Sequence, residues 1–393
     1  MLKGKTIILG ITGSIAAYKI ANLASMLVKQ QAEVHVMMTQ NATNFINPIT
    51  FETLTNRRCL VDTFDRNFQY NVEHVALAKK ADIILIAPAT ANVIAKMANG
   101  LADDMLTTTV LACTCKKIVA PAMNTRMYHN QIVQDNLKKL RAYDFEVLAA
   151  DTGILACGDE GEGKLLPEQV LFDYIVKETA FPKDLKGKKV LVTAGPTREA
   201  IDPVRYLTNH STGKMGYAIA KMAMLRGAEV ILVSGQTHIS KTPFVKVVEV
   251  TSAQEMYDYV TTHQKEQDII IKAAAVADYR PASIRKEKMK KSTGEVSIEL
   301  EKTKDILQYL GEHKRAGQIL CGFAMETEHV LEYAREKLKK KKLDMIVANN
   351  VKVDGAGFGT DTNVVTIITK GSEIELEKMS KEEVANVILD NLI

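Results

Sequence analysis

One cysteine of this chain, Cys157, lies in a glycine-rich segment and is a candidate for proton transfer. Cys157 lies between Ala156 and Gly158, and Gly161 and Gly163 follow closely, so the segment carries no apolar stripe. A thiol of ordinary pKa, ~8.5, is mostly protonated at neutral pH and can donate a proton. Cys157 is therefore a candidate acid, and a buried structural role explains it less well than it explains Cys113.

A single histidine, His74, is a second candidate. It precedes Val75, Leu77 and Ala78 in a short segment with helical periodicity. An imidazole can transfer protons near neutral pH, but an isolated histidine is often structural. Both interpretations stay open for His74 on these grounds.

The segment Gly10–Ala16 joins an apolar run at 6–10 to a helical pattern. Backbone N–H groups and the helix N-terminus at such a loop favour a phosphate. The loop lacks the G-x-G-x-x-G spacing of dinucleotide sites, and the second apolar run ends at Thr39 without an acidic residue for an adenosine ribose. A mononucleotide such as FMN therefore fits better than NAD. The candidate binding positions of the loop are Gly10, Thr12, Gly13 and Ser14.

Two further loops follow apolar runs, where the ligands of parallel sheets collect. One contains Ala87, Thr90 and Asn92, and the other is Pro121–Asn124. Small residues and an amide beside a proline suit contact with a flat ring or a carboxylate. Thr90 and Asn124 are also good helix N-caps, so the sequence leaves both roles open.

The second half of the chain has a different set of polar loops. Ser211-Thr212-Gly213-Lys214 resembles a phosphate cradle, although it is not a P-loop and a capped helix is the alternative. Farther on, an apolar segment ends at Asp278, a single carboxylate of the kind that holds Mg²⁺ beside phosphate oxygens. The basic run at 285–291 suits a mobile lid over phosphates or a solvated surface.

The elements that must position these residues occur twice. Leu2-Lys3-Gly4-Lys5 and Leu185-Lys186-Gly187-Lys188 each lead into a strand pattern, a glycine-containing loop and a helical pattern. This alternation predicts two Rossmann-like α/β domains with mainly parallel sheets, residues 1–180 and 187–393. The pattern also predicts a strand at 269–275, a helix at 326–340 and an irregular glycine-rich flap at 151–167.

The composition is that of an ordinary globular chain. Its 393 residues are 46% hydrophobic and 25% charged, and the net charge of +4 with 6% aromatic residues argues against a nucleic-acid partner. The apolar runs are too short for a membrane span and the N-terminus does not look like a signal peptide, so we expect a cytoplasmic protein. Five scattered cysteines predict neither a disulfide framework nor a zinc site.

Taken together, the segments around Gly10, His74, Thr90, Asn124 and Cys157 resemble a known family. They are similar to the flavin-dependent cysteine decarboxylases, and specifically to the N-terminal half of the bifunctional phosphopantothenoylcysteine decarboxylase/phosphopantothenate–cysteine ligases. The segment Gly100-Leu101-Ala102-Asp103-Asp104 belongs to the same pattern. The resemblance extends over essentially the whole chain.

This resemblance implies a flavodoxin-like N-terminal fold and a role for each residue. FMN sits on the Gly10–Ala16 loop with Thr39 and Thr90 nearby, and Asn124 binds the carboxylate of the cysteinyl substrate. His74 assists oxidative decarboxylation, and Cys157 protonates the intermediate in the final reduction. Ser14 stands where the family often has glycine, but serine can still cap the helix.

The C-terminal half resembles the ligase over residues 187–393. The resemblance implies that CTP activates 4′-phosphopantothenate as an acyl-cytidylate, which the amine of cysteine then attacks. Lys288 would stabilise charge on the transferring phosphate, Asn209 would hold the acyl-cytidylate, and Asp278 would contact the nucleotide or its Mg²⁺. The residues implied to bind CTP are Ala273, Ala274, Ala275, Asp278, Lys288, Lys304, Asp305, Ile306, Leu307, Phe323, Lys337 and Lys341.

Within that set, Phe323 is expected against the base and Lys337 and Lys341 near the phosphates. Lys304 stands where the family commonly has proline, which leaves open how strictly the protein selects CTP over other nucleotides. The resemblance also implies homo-oligomers, trimeric through the flavin half and dimeric through the ligase half.

Two other classes of function compete with a bifunctional enzyme. A flavin-binding regulatory subunit without full activity is the main alternative, and the joint presence of His74, Asn124 and Cys157 argues against it. A nicotinamide reductase or epimerase is disfavoured because Thr39 stands where an acidic residue would bind the ribose.

Overall fold

The computed structural model describes residues 1–63, 73–155, 158–290, 297–326, 329–350, 357 and 359–393. The chain divides into two compact units, Met1–Phe181 and Pro182–Ile393. Each unit has a central sheet and a hydrophobic core of its own.

The first unit is built on a parallel sheet of five strands within the described residues. They are β1 (Thr6–Ile11), β2 (Glu33–Met38), β3 (Ile83–Ala89), β4 (Lys116–Pro121) and β5 (Phe145–Val147), in the order β2-β1-β3-β4-β5. Every residue of β1 and β3 is buried, because helices cover both faces of the sheet. This strand order is that of flavodoxin-like folds, so the predicted fold of this half is confirmed.

Helices pack around this sheet. The first of them buries Ile20, Leu23 and Leu27, which recur at helical spacing on one face. Short 3₁₀ turns occupy Ile15–Tyr18 and Gln40–Asn44. The helices are α1 (Lys19–Lys29), α2 (Pro48–Thr55), α3 (Glu73–Lys80), α4 (Ala91–Ala98), α5 (Met105–Ala112), α6 (Thr125–Tyr128), α7 (Gln131–Ala142) and α8 (Glu168–Thr179).

The prediction of an irregular flap at 151–167 is wrong. β6 (Asp151–Ile154) and β7 (Glu160–Lys164) form an antiparallel hairpin there. Glycine-rich segments have low intrinsic strand propensity, so the local sequence argues against the strands that the hairpin pairing creates. Gly163 has φ +140°, and a Cβ at this position would lie 2.3 Å from the carbonyl oxygen of Met123. The hairpin can therefore pass close over the loop after β4.

The second unit has a larger, mainly parallel sheet. Its strands are β8 (Lys189–Ala194), β11 (Glu229–Ser234), β12 (Lys246–Glu249), β13 (Ile269–Lys272), β16 (Ile319–Glu326), β17 (Met345–Asn350), β19 (Val365–Thr369) and β20 (Glu373–Glu375), in the order β12-β11-β8-β13-β16-β17-β19-β20. The strands from β12 to β17 run parallel, and β19 and β20 add antiparallel edges. The predicted mainly parallel architecture is confirmed.

Short antiparallel pairs and helices complete the second unit. The pairs are β9 (Arg198–Ala200) with β10 (Tyr206–Thr208), β14 (Tyr279–Pro281) with β15 (Leu300–Lys302), and β18 (Thr362–Asn363) with β21 (Met379–Ser380). The helices are α9 (Lys214–Leu225), α10 (Ala253–His263), α11 (Ile306–Glu312), α12 (Val330–Lys340) and α13 (Lys381–Asp390), with a 3₁₀ turn at Gln264–Glu266. In the described part of the chain, no helix has the length and apolar character that a membrane span requires.

Two predicted elements are shorter than expected. The strand predicted at 269–275 ends at Lys272, because the N–H of Ala274 donates to the hydroxyl of Thr193 at 3.1 Å instead of continuing the ladder. The helix predicted at 326–340 begins at Val330, since β16 extends through Glu326. Residues 273 and 274 therefore lie outside the strand, and Ala275 forms an isolated parallel bridge with Pro196 at the carboxyl edge of the sheet.

A buried arginine joins the two ends of the second unit. Arg226 is 4% exposed and follows α9. Its Nε donates to Asp184 Oδ1 at 2.9 Å, and its Nη1 donates to Asp390 Oδ1 at 2.6 Å. Asp184 precedes β8, and Asp390 ends α13, which packs on α9. One guanidinium thus fastens the first and last segments of the unit to the same helix.

Candidate active sites

The loops at the carboxyl edge of the first sheet are bonded to one another. Thr12 Oγ1 donates to the carbonyl oxygen of Pro88 at 2.6 Å and accepts the N–H of Thr90 at 3.0 Å. The N–H of Thr39 donates to the carbonyl oxygen of Ile11 at 3.0 Å. Predicted flavin-binding positions from three strands therefore lie along one edge. The hydroxyl of Thr12, however, already bonds within the protein.

Neighbouring side chains leave little room for a Cβ at the glycines of the first loop. A Cβ at Gly10 would lie 2.5 Å from Leu106 Cδ1, and one at Gly13 would lie 2.8 Å from Asn41 Cβ. Ser14 follows, and its Oγ accepts the N–H of Ala16 at 3.3 Å at the start of a 3₁₀ turn. The expectation that Ser14 caps the helical segment is confirmed, and the loop backbone is closely packed.

A cavity of about 610 Å³ opens beside this loop. Ser14 and Lys19 line it from the first loop and α1, Asn124 lines it from the loop after β4, and Leu155 and Lys164 line it from the hairpin. The structure thus brings Ser14 and Asn124 to the same space. The other predicted flavin positions lie along the sheet edge without lining this cavity: Gly10, Thr12, Gly13, Thr39, Ala87, Thr90 and Asn92.

Thr90 and Asn124 both cap helices, as one of their two predicted roles requires. Thr90 Oγ1 accepts the N–H of Val93 at 3.4 Å at the start of α4. Asn124 Oδ1 accepts the N–H of Arg126 at 2.9 Å at the start of α6. Because Asn124 also lines the cavity, its capping bond is compatible with contact to a ligand.

A buried hydroxyl at this edge fits a flavin. Thr39 is 8% exposed, and its Oγ1 has no hydrogen-bond partner among the described residues. A buried polar atom without a partner is unfavourable, and such atoms often bond to a ligand or water. The residues present are therefore compatible with a polar group of a flavin beside Thr39.

The remaining two candidates of the first unit are placed less directly. His74 lies half-buried on α3 and is not among the described residues that line the cavity. Cys157 lies outside the described residues, but Leu155 lines the cavity and accepts the N–H of Gly158 at 2.9 Å. Described residues before and after Cys157 in the sequence therefore border the cavity, and the roles of His74 and Cys157 stay predictions.

A larger group of predicted residues meets in the second unit. A cavity of about 520 Å³ lies at the carboxyl edge of its sheet. The amide Nδ2 of Asn209 donates to the carbonyl oxygen of Ala275 at 3.0 Å, which connects the loop before α9 to the segment after β13. The predicted residues that line this cavity are Asn209, Ala273, Ala274, Ala275, Asp278, Phe323 and Lys337.

The first turn of α9 also lines this cavity. Gly213 precedes the helix with φ +83°, a conformation that favours glycine, and among the described residues no side chain caps the helix. Lys214 bonds to Asp361 Oδ1 at 2.7 Å and to the carbonyl oxygen of Gly359 at 2.6 Å. A helix start without a side-chain cap suits an anion, so the geometry favours the phosphate cradle over the capped helix.

A second cavity, of about 430 Å³, adjoins the first and is lined by Lys304, Asp305, Ile306, Leu307 and Lys341 among others. Asp305 Oδ1 accepts the N–H of Gln308 at 2.8 Å and caps α11, while its Oδ2 accepts from Lys341 Nζ at 2.5 Å. Burial acts to raise the pKa of Asp305, but the hydrogen bonds from Lys341 and Gln308 lower it overall. The Nζ of Lys304 lies 5.0 Å from the ring centroid of Tyr257, a cation–π contact.

Lys272, Val276, Asp278 and Lys337 line both cavities and are called here the shared wall. Lys337 Nζ donates to the carbonyl oxygen of Phe323 at 3.1 Å, so this lysine links the two spaces. Sequence reasoning missed Lys272. The signal for it is a lysine placed directly after three buried isoleucines, where a parallel strand ends at the ligand-binding edge.

Asp278 is the predicted metal ligand of this wall. It is exposed, and the described residues hold no cluster of three or more His, Cys, Asp or Glu side chains that could bind a metal. Mg²⁺ usually takes one or two carboxylates and completes its shell with phosphate oxygens and water. The single carboxylate of Asp278 therefore fits Mg²⁺ only together with a nucleotide.

Lys288 lies on an exposed segment that lines neither cavity. The segment is anchored by Asp202, whose Oδ2 accepts the N–H of Met289 at 3.1 Å and Arg205 Nε at 2.9 Å. Burial acts to raise the pKa of Asp202, but hydrogen bonds from the N–H groups of Val204 and Met289 hold it well below its usual range. This carboxylate therefore stays ionised at any neutral assay pH.

We expect Asp202→Asn to lower the ligation rate at least about tenfold, because an amide cannot accept all the donors that converge on this carboxylate. The segment that carries Lys288 would then lose its anchor, and trypsin would cleave residues 285–290 faster than in the parent protein. The matched control is Asp258→Asn, since Asp258 is an exposed residue of α10. Unchanged ligation and proteolysis in Asp202→Asn would contradict the anchoring role.

Comparison with known proteins decides the family. Family models match residues 1–180 as a flavoprotein and residues 185–393 as a DNA/pantothenate metabolism flavoprotein C-terminal domain. The coenzyme A biosynthesis bifunctional protein CoaBC of Bacillus subtilis (strain 168) is 47% identical over 398 residues, which span 100% of this chain and 97% of that protein. The chain belongs to the CoaBC family.

Other CoaBC proteins are similar over the same length. The Escherichia coli (strain K12) protein is 40% identical over 395 residues, covering 100% of this chain and 97% of its own. A solved structure of the C-terminal domain of a CoaBC protein is 49% identical and covers 52% of this chain and 94% of its own, with a TM-score of 0.46.

Membership in the CoaBC family confirms the predicted function at the level of the whole chain. The protein is a bifunctional enzyme of coenzyme A biosynthesis that joins a flavoprotein decarboxylase half to a ligase half. The alternative of a regulatory subunit is not favoured. The flavoprotein match supports a flavin cofactor in the first unit, where the orphaned hydroxyl of Thr39 fits one.

Proposed function

We propose that the second unit joins 4′-phosphopantothenate to cysteine at the expense of CTP, and that the first unit uses FMN to convert the product into 4′-phosphopantetheine. The observation that carries this proposal is the pair of adjoining cavities. Every residue predicted to bind CTP, apart from Lys288, lines one or both of them. The ligase product is the decarboxylase substrate, which accounts for the two activities in one chain.

Ligation proceeds in two displacements. A carboxylate oxygen of 4′-phosphopantothenate attacks the α-phosphorus of CTP and pyrophosphate leaves; the amine of cysteine then attacks the acyl carbon, loses a proton, and CMP leaves. Lys288 stabilises negative charge on the transferring phosphate, and Asn209 holds the acyl-cytidylate beside Ala275. Asp278 would hold Mg²⁺, which neutralises phosphate charge when bound.

The base is assigned to the smaller cavity and its border. Phe323 lies against cytosine, and the segment 304–307 supplies backbone contacts to its polar edge. Because the ammonium of Lys304 rests against Tyr257, the lysine that replaces the common proline need not enter the base site. This arrangement is compatible with CTP as the nucleotide, and replacement of CTP by ATP tests the choice of base.

In the first unit, Asn124 binds the carboxylate that will leave as CO₂, and His74 assists the oxidative step. FMN, which Thr39 and the Gly10–Ala16 loop would hold, would supply two-electron redox chemistry: oxidation of the substrate's C–SH group to C=S with loss of two electrons and two protons, and the reverse reduction after CO₂ is lost. The oxidised C=S carbon can accept the electron pair that decarboxylation releases, which leaves an enethiol. Cys157 then gives the proton that saturates this product.

The test is to incubate purified protein with 4′-phosphopantothenate, cysteine, CTP and Mg²⁺ and to measure CMP and CO₂. We expect both to form in equal amounts and the protein to show the absorbance of bound FMN. ATP in place of CTP is the control for the base. A protein that neither binds FMN nor consumes CTP would overturn the proposal. Trimeric flavin halves and dimeric ligase halves stay predictions that light scattering can check.

We expect Cys157→Ser to lose the saturated product while it still releases part of the CO₂. A serine hydroxyl is a far weaker acid than a thiol, so the last protonation fails after decarboxylation has occurred. Mass spectrometry should detect a product two hydrogens lighter than 4′-phosphopantetheine. The control is Cys115→Ser, a half-buried cysteine before β4 that does not line the cavity. Normal turnover by Cys157→Ser would remove Cys157 from this role.

A further inference from the structure

Lys272 lies where the two cavities of the second unit meet. Apart from Lys288, the predicted CTP-binding residues fall into three groups: Ala273, Ala274, Ala275 and Phe323 line only the larger cavity, Lys304, Asp305, Ile306, Leu307 and Lys341 line only the smaller one, and Asp278 and Lys337 line both. A single nucleotide that contacts the outer groups must pass over the shared wall. Lys272 is the basic residue of that wall which the predicted site omits.

The ammonium of Lys272 has few partners in the protein. Its Nζ donates to the carbonyl oxygen of Ala274 at 3.2 Å. Within the described residues this is its one hydrogen bond, and no carboxylate oxygen lies within ion-pair distance of it. An ammonium has three N–H donors, so two remain for a ligand in the cavities that the side chain lines.

The charges that face Lys272 come from several elements. Asp278 follows β13, Asp305 caps α11, and Lys337 and Lys341 belong to the end of α12. Burial, followed by the positive charge of Lys337, lowers the pKa of Lys272 to about 8, although the two aspartates oppose the shift. The protein therefore leaves this cation under-compensated, a setting in which an added anion is stabilising.

Lys272 is also held in place by its strand. It ends β13, whose preceding residues Ile269, Ile270 and Ile271 are at most 1% exposed. A side chain anchored on a buried central strand loses less conformational freedom on binding than one on a loop. This distinguishes Lys272 from Lys288, which lies on an exposed segment.

We propose that the side chain of Lys272 binds a phosphate group of the nucleotide at the point where it crosses from one cavity to the other. This inference rests on the proposed CTP-dependent ligation. It assigns the lysine to the triphosphate rather than to the phosphate of 4′-phosphopantothenate, because the predicted nucleotide-binding residues lie on both sides of it.

The test compares Lys272→Met with Lys272→Arg in the full-length protein, using CTP and cytidine as probes in calorimetry. We expect Lys272→Met to weaken CTP binding at least about tenfold, as loss of a charge-assisted hydrogen bond requires, and to leave cytidine binding unchanged. Arginine should restore most of the CTP affinity. Lys189→Met is the control, since Lys189 is exposed at the opposite end of the sheet and the change removes the same charge.

Each outcome has one meaning. Equal weakening of CTP and cytidine, or no rescue by arginine, would show a structural role and overturn the inference. A raised KM for 4′-phosphopantothenate with unchanged CTP affinity would place the lysine at the other phosphate and overturn it as well. If Lys272→Met binds CTP as the parent protein does, this inference fails while the proposed function stands. If the parent protein itself binds no CTP, the proposed function fails and takes this inference with it.

Discussion

Replacing Asn209 by aspartate is expected to slow ligation by roughly a hundredfold while decarboxylation of supplied 4′-phosphopantothenoylcysteine continues at the parent rate. The amide Nδ2 of Asn209 donates to the carbonyl oxygen of Ala275 at 3.0 Å. An aspartate has no donor for that oxygen and brings a negative charge into the cavity proposed for a triphosphate. The lost bond and the repulsion each account for about a factor of ten or more.

The measurement is single-turnover release of pyrophosphate and CMP, which separates activation of the carboxylate from attack by cysteine. Asn391→Asp is a matched control. The Nδ2 of Asn391 also donates to a carbonyl oxygen, that of Val387 at 2.8 Å, but Asn391 lines neither cavity. We expect that control to ligate normally. If decarboxylation falls together with ligation in Asn209→Asp, the two units do not act independently.

A methyl group at Gly311 is expected to destabilise the second unit by about 1–3 kcal/mol and to weaken CTP binding. A Cβ at Gly311 would lie 1.9 Å from the carbonyl oxygen of Lys341, so α11 and the end of α12 would have to separate. The same contact brings Asp305, at the start of α11, to its partner Lys341. Because both residues line the smaller cavity, steric strain there should reach the nucleotide site.

Urea titration followed by circular dichroism, with flavin fluorescence as a separate marker of the first unit, measures this loss. Gly371→Ala is the control. Gly371 lies between β19 and β20, and a Cβ there would have no atom within 4 Å. We expect that variant to retain the parent stability and CTP affinity. A Gly311→Ala protein with an unchanged midpoint would show that the helices can part without strain.

The sequence predicts the α/β architecture correctly wherever segments with the periodicity of a strand alternate with segments that have the periodicity of a helix. The repeated Leu-Lys-Gly-Lys segments mark the first strand of each sheet, and the rule that ligands collect at carboxyl edges locates Ser14, Asn124, Asn209 and Asp278 at their cavities. Both signals are local, and tertiary packing reinforces them.

Elements created by pairing were harder to predict. The hairpin at β6 and β7 is rich in glycine, and its strands exist because they pair with each other. Lys272 was missed because its importance depends on two cavities that are assembled from distant segments. The helix α13 is a different case, since Ser380 and Glu383 form a capping box that the sequence displays and that sequence reasoning overlooked.

The clasp around Arg226 has a consequence for how the protein matures. The amino-terminal part of a chain emerges from the ribosome first, and domains generally fold as they emerge. The first unit can be finished while synthesis continues, but the clasp needs Asp390, which lies 164 residues after Arg226. A chain stalled before Asp390 would therefore carry a flavin-binding half beside a second unit that lacks its clasp, and we expect it to be unable to join the substrates.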